Sequence, residues 1–442
     1  MSRKFAIVTQ NWCALLFAQD ERNKKAGDKI IVVTNPKPFK DKDAKDKFAS
    51  IGKGIVESIS LEDAMAEREK LRDWEWVFDG NHSVKENTIL RKEKFKVCNQ
   101  SEMTYEMEND REKGILLAEE TFGIESPLWE EYKTGKEGID LLKEYPDDGF
   151  FMKPNAEDES HLTTPPVGKD GRKANEYLQM WLESIEFKKG FVLQKEIKGG
   201  TEVNLEYFCV NGEPISAQIN LEVKRISEAS LIDGYEKGAL CGCAYDCCRD
   251  IPLDHPLVLE TIGKMKKFIK DKNYTGFADM NFIIGENNIW FIEWCWRTGY
   301  NAHVNYFMNV SNKDYLNTMA DMREGKYKPD VKKGWGASVT LYCDHPAKDI
   351  PVMIDDSVLN KVALFDGMKK GKTIVQTGDS NEIAIVGGYG NTIERAMMNA
   401  YDNVEKVLCA KSDYRSDGLK DNFNSSPIMR WKAIENLYGG MR

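Results

Sequence analysis

The chain has 442 residues, 41% of them apolar, and a formal net charge of −10 from 62 basic and 72 acidic side chains. That length suits roughly two to four domains with real cores. The acidic balance leaves no broad basic face, which argues against tight nucleic-acid binding and leaves room for a small anion in a local basic cleft.

No apolar run approaches membrane-spanning length, so no membrane partner is expected. Met1-Ser2-Arg3-Lys4 leads directly into a strand-like run. With ten cysteines and no secretory leader in this sequence, the expectation is a reduced, cytoplasmic protein. Cys241, Cys243, Cys247 and Cys248 crowd together, yet the run lacks the paired C-x2-C spacing of a zinc site. It reads as free cysteines in a loop.

Residues 5–9 (FAIVT) and 29–34 (KIIVVT) predict short strands, with a helix between them over 12–21. Residues 60–72 open on a Ser/Glu capping pattern and keep helical spacing, and 76–79 (WVFD) is another strand. This alternation predicts a parallel α/β domain over residues 1–100. Thr9-Gln10-Asn11-Trp12 carries no glycine-rich fingerprint, so no dinucleotide site is inferred. Residues 101–120 and 136–144 are helical in pattern, and 149–154 form a strand ending in Lys153 and Pro154. A lysine there is exposed and idle, or aimed at a phosphate by the strand beneath it. Residues 155–175 read as a flexible polar loop and 174–185 as a helix. Strands at 191–197, 202–210 and 215–221 read as one meander in a compact α+β unit. A helix follows over 255–270 and another over 314–324. Strands at 335–343, 372–377 and 382–388 precede a helix over 392–407 with an apolar stripe of Ile393, Ala396, Met397, Ala400 and Val404.

Residues 274–300 read YTGFADMNFIIGENNIWFIEWCWRTGY. Two apolar strand-like runs, 277–284 and 289–294, flank Gly285-Glu286-Asn287-Asn288, a hairpin turn signal. Asn281 and Glu293, twelve positions apart across the turn, offer oxygen ligands that suit a hard cation such as Mg2+, which keeps its other positions for water and phosphate. Arg297 could hold a phosphate through its fork of donors. The bland alternative is an ordinary hairpin with solvated polar residues.

Several ordered segments resemble the ATP-grasp ligases, and more narrowly the phosphoribosylamine–glycine ligase (glycinamide ribonucleotide synthetase) family. They are Tyr274-Thr275-Gly276-Phe277, the glycine-bearing stretch Gly238–Tyr245, the pair Lys224-Arg225, Gly390–Ala396 with Ala400-Tyr401, and Trp431–Ile434. The resemblance runs from about residue 100 to the end. It implies an ATP-grasp fold of mixed α/β and α+β class. Its expected parts are an N-terminal parallel α/β domain (1–100), an ATP-grasp domain (101–325) with a mobile lid over about 147–212, and a C-terminal α+β domain (326–442).

The resemblance also implies roles. Lys153 is similar to the lysine that contacts ATP phosphate from the lid. Gln194, Lys195, Glu196 and Ile197 occupy the hinge that reads adenine through backbone groups, and Glu202 is similar to the carboxylate that takes the ribose hydroxyls. Asn281 and Glu293 sit at the metal positions, Arg297 at the phosphate-facing arginine, with Lys224 and Arg225 completing the catalytic positive groups. The implied reaction joins a carboxylate to an amine through an acyl phosphate, using ATP and Mg2+ and releasing ADP. Its implied partners are small molecules, an amino acid such as glycine and an amine, on a monomer or homodimer.

Departures from the family sit on the substrate side. Its glycine-rich first turn is replaced by Thr9-Gln10-Asn11-Trp12-Cys13, and the motif after the metal arginine by Gly299-Tyr300-Asn301-Ala302. Cys295 stands where a further metal ligand is found, and a thiol is a poor Mg2+ ligand. The lid loop carries Glu157, Asp158 and Glu159, leaving Lys169 or Arg172 as substitutes for its second lysine. The expectation is therefore a ligase with an altered amine acceptor. The alternatives are a drifted phosphoribosylamine–glycine ligase and a nucleotide-binding protein without turnover.

Overall fold

The computed structural model describes residues 2–9, 15, 18–35, 42–80, 83–155, 162–167, 170–227, 237–343, 345–420 and 426–439. The chain divides into two compact units: residues 1–102, 202–279 and 295–442 form one, residues 103–201 and 280–294 the other. The stretch 147–212 expected as a lid has residues in both.

In the first unit, five parallel strands lie in the order Glu57–Ser60, Lys29–Thr34, Lys4–Thr9, Glu75–Phe78 and Lys96–Cys98. Ala6, Val8, Ile31, Val33, Trp76 and Phe78 pack on one face with Leu61, Ala64 and Leu90 of two flanking helices. Phe5, Ile7, Val32 and Val77 pack on the opposite side, in the core shared with residues 304–322. A parallel sheet covered on both faces needs apolar residues at consecutive positions, which is why these strands read as unbroken runs.

A larger sheet of the same unit runs in the order Thr201–Val210, Glu213–Asn220, Lys237–Ile251, Trp335–Cys343, Glu382–Gly390, Val362–Leu364, all antiparallel. The π-helical segment His303–Val310 is buried along its whole length. It approaches so closely that a Cβ on Gly336 would lie 1.8 Å from the Asn305 carbonyl, and one on Gly387 2.2 Å from Asn309 Nδ2. Only glycine at 336 allows this approach, and it seats the Asn305 backbone against the sheet. The next helix, Tyr315–Arg323, is tied to the parallel sheet by Arg323 Nε to Glu75 (2.6 Å) and Arg3 to Asp321 (2.7 Å). The helix Ile393–Val404 buries the stripe expected of it, with Thr392 accepting the first-turn N–H of Arg395.

In the second unit, Trp129–Tyr132, Phe191–Lys195 and Phe150–Pro154 make a three-stranded antiparallel sheet. Ile139, Leu142, Leu178 and Leu182 of the helices Gly135–Glu144 and Gly171–Ser184 pack with Phe150, Met152, Phe191 and Leu193.

Three local expectations change. The strands at 191–221 are not one meander: Phe191–Lys195 belongs to the second unit's sheet, and the chain leaves it through Gly199 at φ +79°. The helix over 255–270 splits at Thr261, whose hydroxyl donates to the Leu257 carbonyl at 2.5 Å. The cysteine run is no loop. Cys241–Cys248 lie within the strand Lys237–Ile251, where the cysteines fill sheet positions as small hydrophobes. Half of the helix expected over 12–21 lies outside the described residues, and so do Lys169 and the acidic run 157–159. Among the described residues no helix is long and apolar enough to cross a membrane.

Candidate active site

The first unit gathers charge on one face of its large sheet. Register fixes the arrangement: Glu206 faces Gln218 across two strands, Asn204 faces Asn220, and Gln218 is paired with Asp250 on the next strand. Residues two apart on a strand share a face, so the rows stack. Glu206 is 1% exposed and accepts from Gln218 Nε2. Burial pushes its carboxyl up to about 8; the Gln218 hydrogen bond and the Arg297 charge oppose that, and Glu222 adds to it.

Asp246, fully buried on the neighbouring strand, accepts from the Leu221 N–H (3.0 Å) and from Asn305 Nδ2 (2.5 Å). Burial first, then Glu222, pushes it up to about 8. Asp279, 4% exposed, is also driven up, by burial and then by Glu206 and Glu222, against Arg297 and Lys224. Arg297 lies half-buried with its guanidinium 5.1 Å from the Tyr300 ring centroid.

Lys224 Nζ pairs with Glu202 Oε1 at 2.9 Å and with Glu222 at 3.9 Å. Buried Arg430 stands 3.8 Å from the other oxygen of Glu202 and donates to the Glu202 carbonyl at 3.2 Å. Lys224 and Arg225 sit on the strand Val223–Ser227, and the Arg225 carbonyl accepts from Arg415 (2.9 Å). The structure thus brings Glu202, Lys224 and Arg297 of the expected residues beside a buried acidic group. Sequence reading gave no role to Glu206, Asp246, Glu222 and Arg430, and none to Asp279, although Asp279 interrupts the apolar run of the hairpin. For Glu206, Asp246 and Asp279 the signal was a polar residue at every second position of otherwise apolar strands.

The second unit holds the remaining candidates. Lys153 is buried, and its Nζ donates to Gln194 Oε1 at 2.7 Å, both side chains on one face of the paired strands Phe150–Pro154 and Phe191–Lys195. Lys195 pairs with Asp148 at 2.8 Å, its N–H donates to the Leu128 carbonyl, and the Glu196 N–H donates to the Gly149 carbonyl. Ile197 follows, half-buried. Arg172 is spent on exposed Asp147 at 2.9 Å.

The hairpin forms as its turn signal implies, with strands Gly276–Ile284 and Ile289–Cys295 and Gly285 N–H donating to the Asn288 carbonyl. Asn281 is buried and Glu293 is 35% exposed at its side chain. Arg111, which sequence reading passed over, lies 3.8 Å from Glu293 and donates through Nε to the Pro154 carbonyl at 3.2 Å. It thereby links the end of the Lys153 strand to the hairpin.

Cys247 and Cys248 are buried and, like Cys243, are held as neutral thiols by burial. Among the described residues no group of three or more Asp, Glu, His or Cys side chains is arranged to hold a metal. A metal here would take one or two protein oxygens and draw the rest from water and phosphate, the habit of Mg2+.

No family model matches the sequence, and no curated protein sequence matches it. Solved structures do. Phosphoribosylamine–glycine ligase from Thermotoga maritima superposes with a TM-score of 0.66 at 16% identity, covering 94% of this chain and 99% of its own. Biotin carboxylase from Campylobacter jejuni, solved as a beta-gamma-ATP complex, gives 0.64 at 14% identity over 99% and 97%. The biotin carboxylase domain of Hydrogenobacter thermophilus 2-oxoglutarate carboxylase, a dimer with MgADP, ADP and bicarbonate, gives 0.66 at 12% over 100% and 99%. At such identities the likeness is one of fold: this chain folds as the ATP-grasp enzymes do and resembles, in divergent form, phosphoribosylamine–glycine ligase.

Proposed function

We propose that the protein is an ATP-dependent, ADP-forming carboxylate–amine ligase that works through an acyl phosphate, with an amino acid as carboxylate substrate and an acceptor other than phosphoribosylamine. The observation that carries this reading is the set Glu202–Lys224–Arg297 beside the Glu206–Asp279 pair, on a fold whose solved relatives include a carboxylate–amine ligase and nucleotide-bound carboxylases.

A carboxylate is a poor electrophile, and phosphoryl transfer from ATP gives it a leaving group. Lys224, Arg225 and Arg297 would stabilise the charge that develops on the transferring phosphoryl group. Lys153, oriented by Gln194, would hold ATP phosphate; Gln194–Ile197 would offer backbone groups to the base, and Glu202 would take the ribose hydroxyls. The residues fit Mg2+: Asn281 and Glu293 supply oxygens only, one neutral and one anionic, and Mg2+ bound there would neutralise crowded phosphate oxygens. A water-excluding closure around 147–212 would protect the acyl phosphate.

The test is a matrix of amino acids against amines with ATP and Mg2+, read as ADP release and as amide product by mass. Product from at least one pair is expected. Product formed best from glycine and phosphoribosylamine would instead make this a drifted member of that family. ATP binding with no ADP release across the matrix would leave a nucleotide-binding protein without turnover.

A further inference from the structure

Where two strands of the large sheet part, a side chain takes over from the backbone ladder. Asn204 of Thr201–Val210 stands opposite Asn220 of Glu213–Asn220, and that pair ends their ladder. Continuing the register sets Glu202 against Glu222, and like charges directly opposite are destabilising. The second strand has already turned away at this point: the Leu221 N–H donates to Asp246 and to the Cys247 carbonyl. Arg430 bridges the opening. Its Nη1 donates to the Glu202 carbonyl at 3.2 Å and to the Glu222 carbonyl, and its Nη2 lies 3.8 Å from Glu202 Oε2. From the same side Lys224 reaches Glu202 Oε1 at 2.9 Å and Glu222 at 3.9 Å.

Arg430 belongs to the C-terminal helix Pro427–Tyr438, which Ser426 caps by accepting from the Met429 N–H at 3.2 Å. It lies on the buried face of that helix, the charged member of a set with Pro427, Ile428, Trp431 and Ile434. Burying a charge is costly unless it is bonded and paired. The bonds of Arg430 go to the two segments that carry Glu202 and Lys224. Exposure separates the roles: the Glu202 and Lys224 side chains are 28% and 24% exposed, that of Arg430 only 5%. A nucleotide can meet the first two and not the third. At 3.8 Å Arg430 lends charge to Glu202 Oε2 without taking that oxygen up in a hydrogen bond.

We infer that Arg430 is a positioning residue for nucleotide recognition, a buried clamp that fixes the Glu202 carboxylate and Lys224 in the arrangement that receives the ribose. The inference rests on the role proposed for Glu202. It adds that this role depends on a residue 228 positions further along the chain. An arginine that merely fastened the helix to the sheet would, when lost, weaken the fold and treat all nucleotides alike. A positioning residue shows itself in discrimination between sugars.

The experiment is calorimetry on the full chain with Mg2+ and either ATP or 2′-deoxy-ATP, with no amino acid or amine present, so that binding is read without turnover. The parent should prefer ATP by about tenfold, the worth of one hydrogen bond to a charged group. Glu202→Gln should abolish the preference. Arg430→Met, of similar length and uncharged, should cut it to about twofold or less while affinity for 2′-deoxy-ATP changes little. Arg430→Lys restores the charge but cannot span both carbonyls and the carboxylate, so its preference should fall between those of Arg430→Met and the parent. Near-ultraviolet circular dichroism checks that each variant is folded, and Arg430→Lys carries the test if Arg430→Met is not. Preference lost in Glu202→Gln but kept at the parent value in the folded Arg430 variants overturns the inference and leaves the role of Glu202 standing. An equal loss of affinity for both nucleotides in Arg430→Met, with the preference kept, also overturns it. No preference in the parent, or preference kept in Glu202→Gln, removes the ribose role of Glu202 and the inference with it.

Discussion

Lys224 Nζ lies 2.9 Å from Glu202 Oε1, and Arg430 approaches the other oxygen of the same carboxylate at 3.8 Å. Glu202 is thus held between two cations and Lys224 is turned toward it. Under the proposed function the two have different tasks: one takes ribose hydroxyls, the other faces the transferring phosphoryl. Glu202→Gln keeps the shape and removes the charge. A hydrogen bond to a charged group is worth ~1.5–3 kcal/mol, so steady-state kinetics should show KM for ATP raised at least tenfold with kcat changed much less. A fall in kcat at constant KM would mean that Glu202 serves only to place Lys224.

Glu293 carries the one carboxylate among the proposed metal ligands, and Arg111 stands 3.8 Å from it. Replacing it with Gln removes the charge that Mg2+ needs while leaving an oxygen. ADP release should fall below detection at ordinary Mg2+ and recover in part at high Mg2+, because the weakened cage can be filled by mass action. Arg111→Ala, by contrast, should lower the Mg2+ needed for half-maximal rate, since a competing cation is gone. Unchanged turnover in Glu293→Gln would sink the assignment.

The parallel sheet was legible because both of its faces are covered, so Phe5–Val8 and Ile30–Val33 read as continuous apolar strands. The helix Ile393–Val404 was legible from its single apolar stripe. The strand Lys237–Ile251 was not: Gly238, Gly242 and a crowd of cysteines weigh against strand in any propensity argument, and pairing with two neighbours outweighs them. The acidic face escaped for a different reason. Glu206, Asp246 and Asp279 sit 40 and 33 residues apart on separate strands, and strand register, with Gln218 opposite both Glu206 and Asp250 and the Asn305 backbone seated against Gly336, brings them together. Arg111 was unreadable because its partners are a backbone carbonyl and a residue of a distant hairpin.

Arg415 and Asp417 form an ion pair at 2.7 Å with both side chains fully buried, and the Tyr245 hydroxyl donates to the same carboxylate at 3.2 Å. Removing one partner strands a buried charge, at a cost of about 3–5 kcal/mol. Asp417→Ala should therefore lower the urea midpoint of the first unit's transition substantially, followed by tryptophan fluorescence through Trp335 and Trp431, which pack edge to face at 4.9 Å. Asp417→Ala paired with Arg415→Met should recover part of that loss. No recovery would show that the carboxylate matters through Tyr245 rather than through the arginine.

Glu206 and Asp246 are both pushed up to about 8, chiefly by burial, whereas an unfolded carboxylate titrates near 4. Between those values the folded chain keeps protons that the unfolded chain has lost. Stability therefore falls as pH rises across that window. The contribution is fully present below pH 4, declines through the range 4–8, and changes little above about 8. Asp246→Asn fixes the site in a neutral form that still accepts from the Leu221 N–H. Its urea midpoint should fall less steeply than the parent's between pH 5 and pH 8, so that the two curves separate most at the alkaline end. Parallel curves across that range would mean that Asp246 is ionised in the folded protein, with Asn305 and the Leu221 N–H sufficient to hold it so.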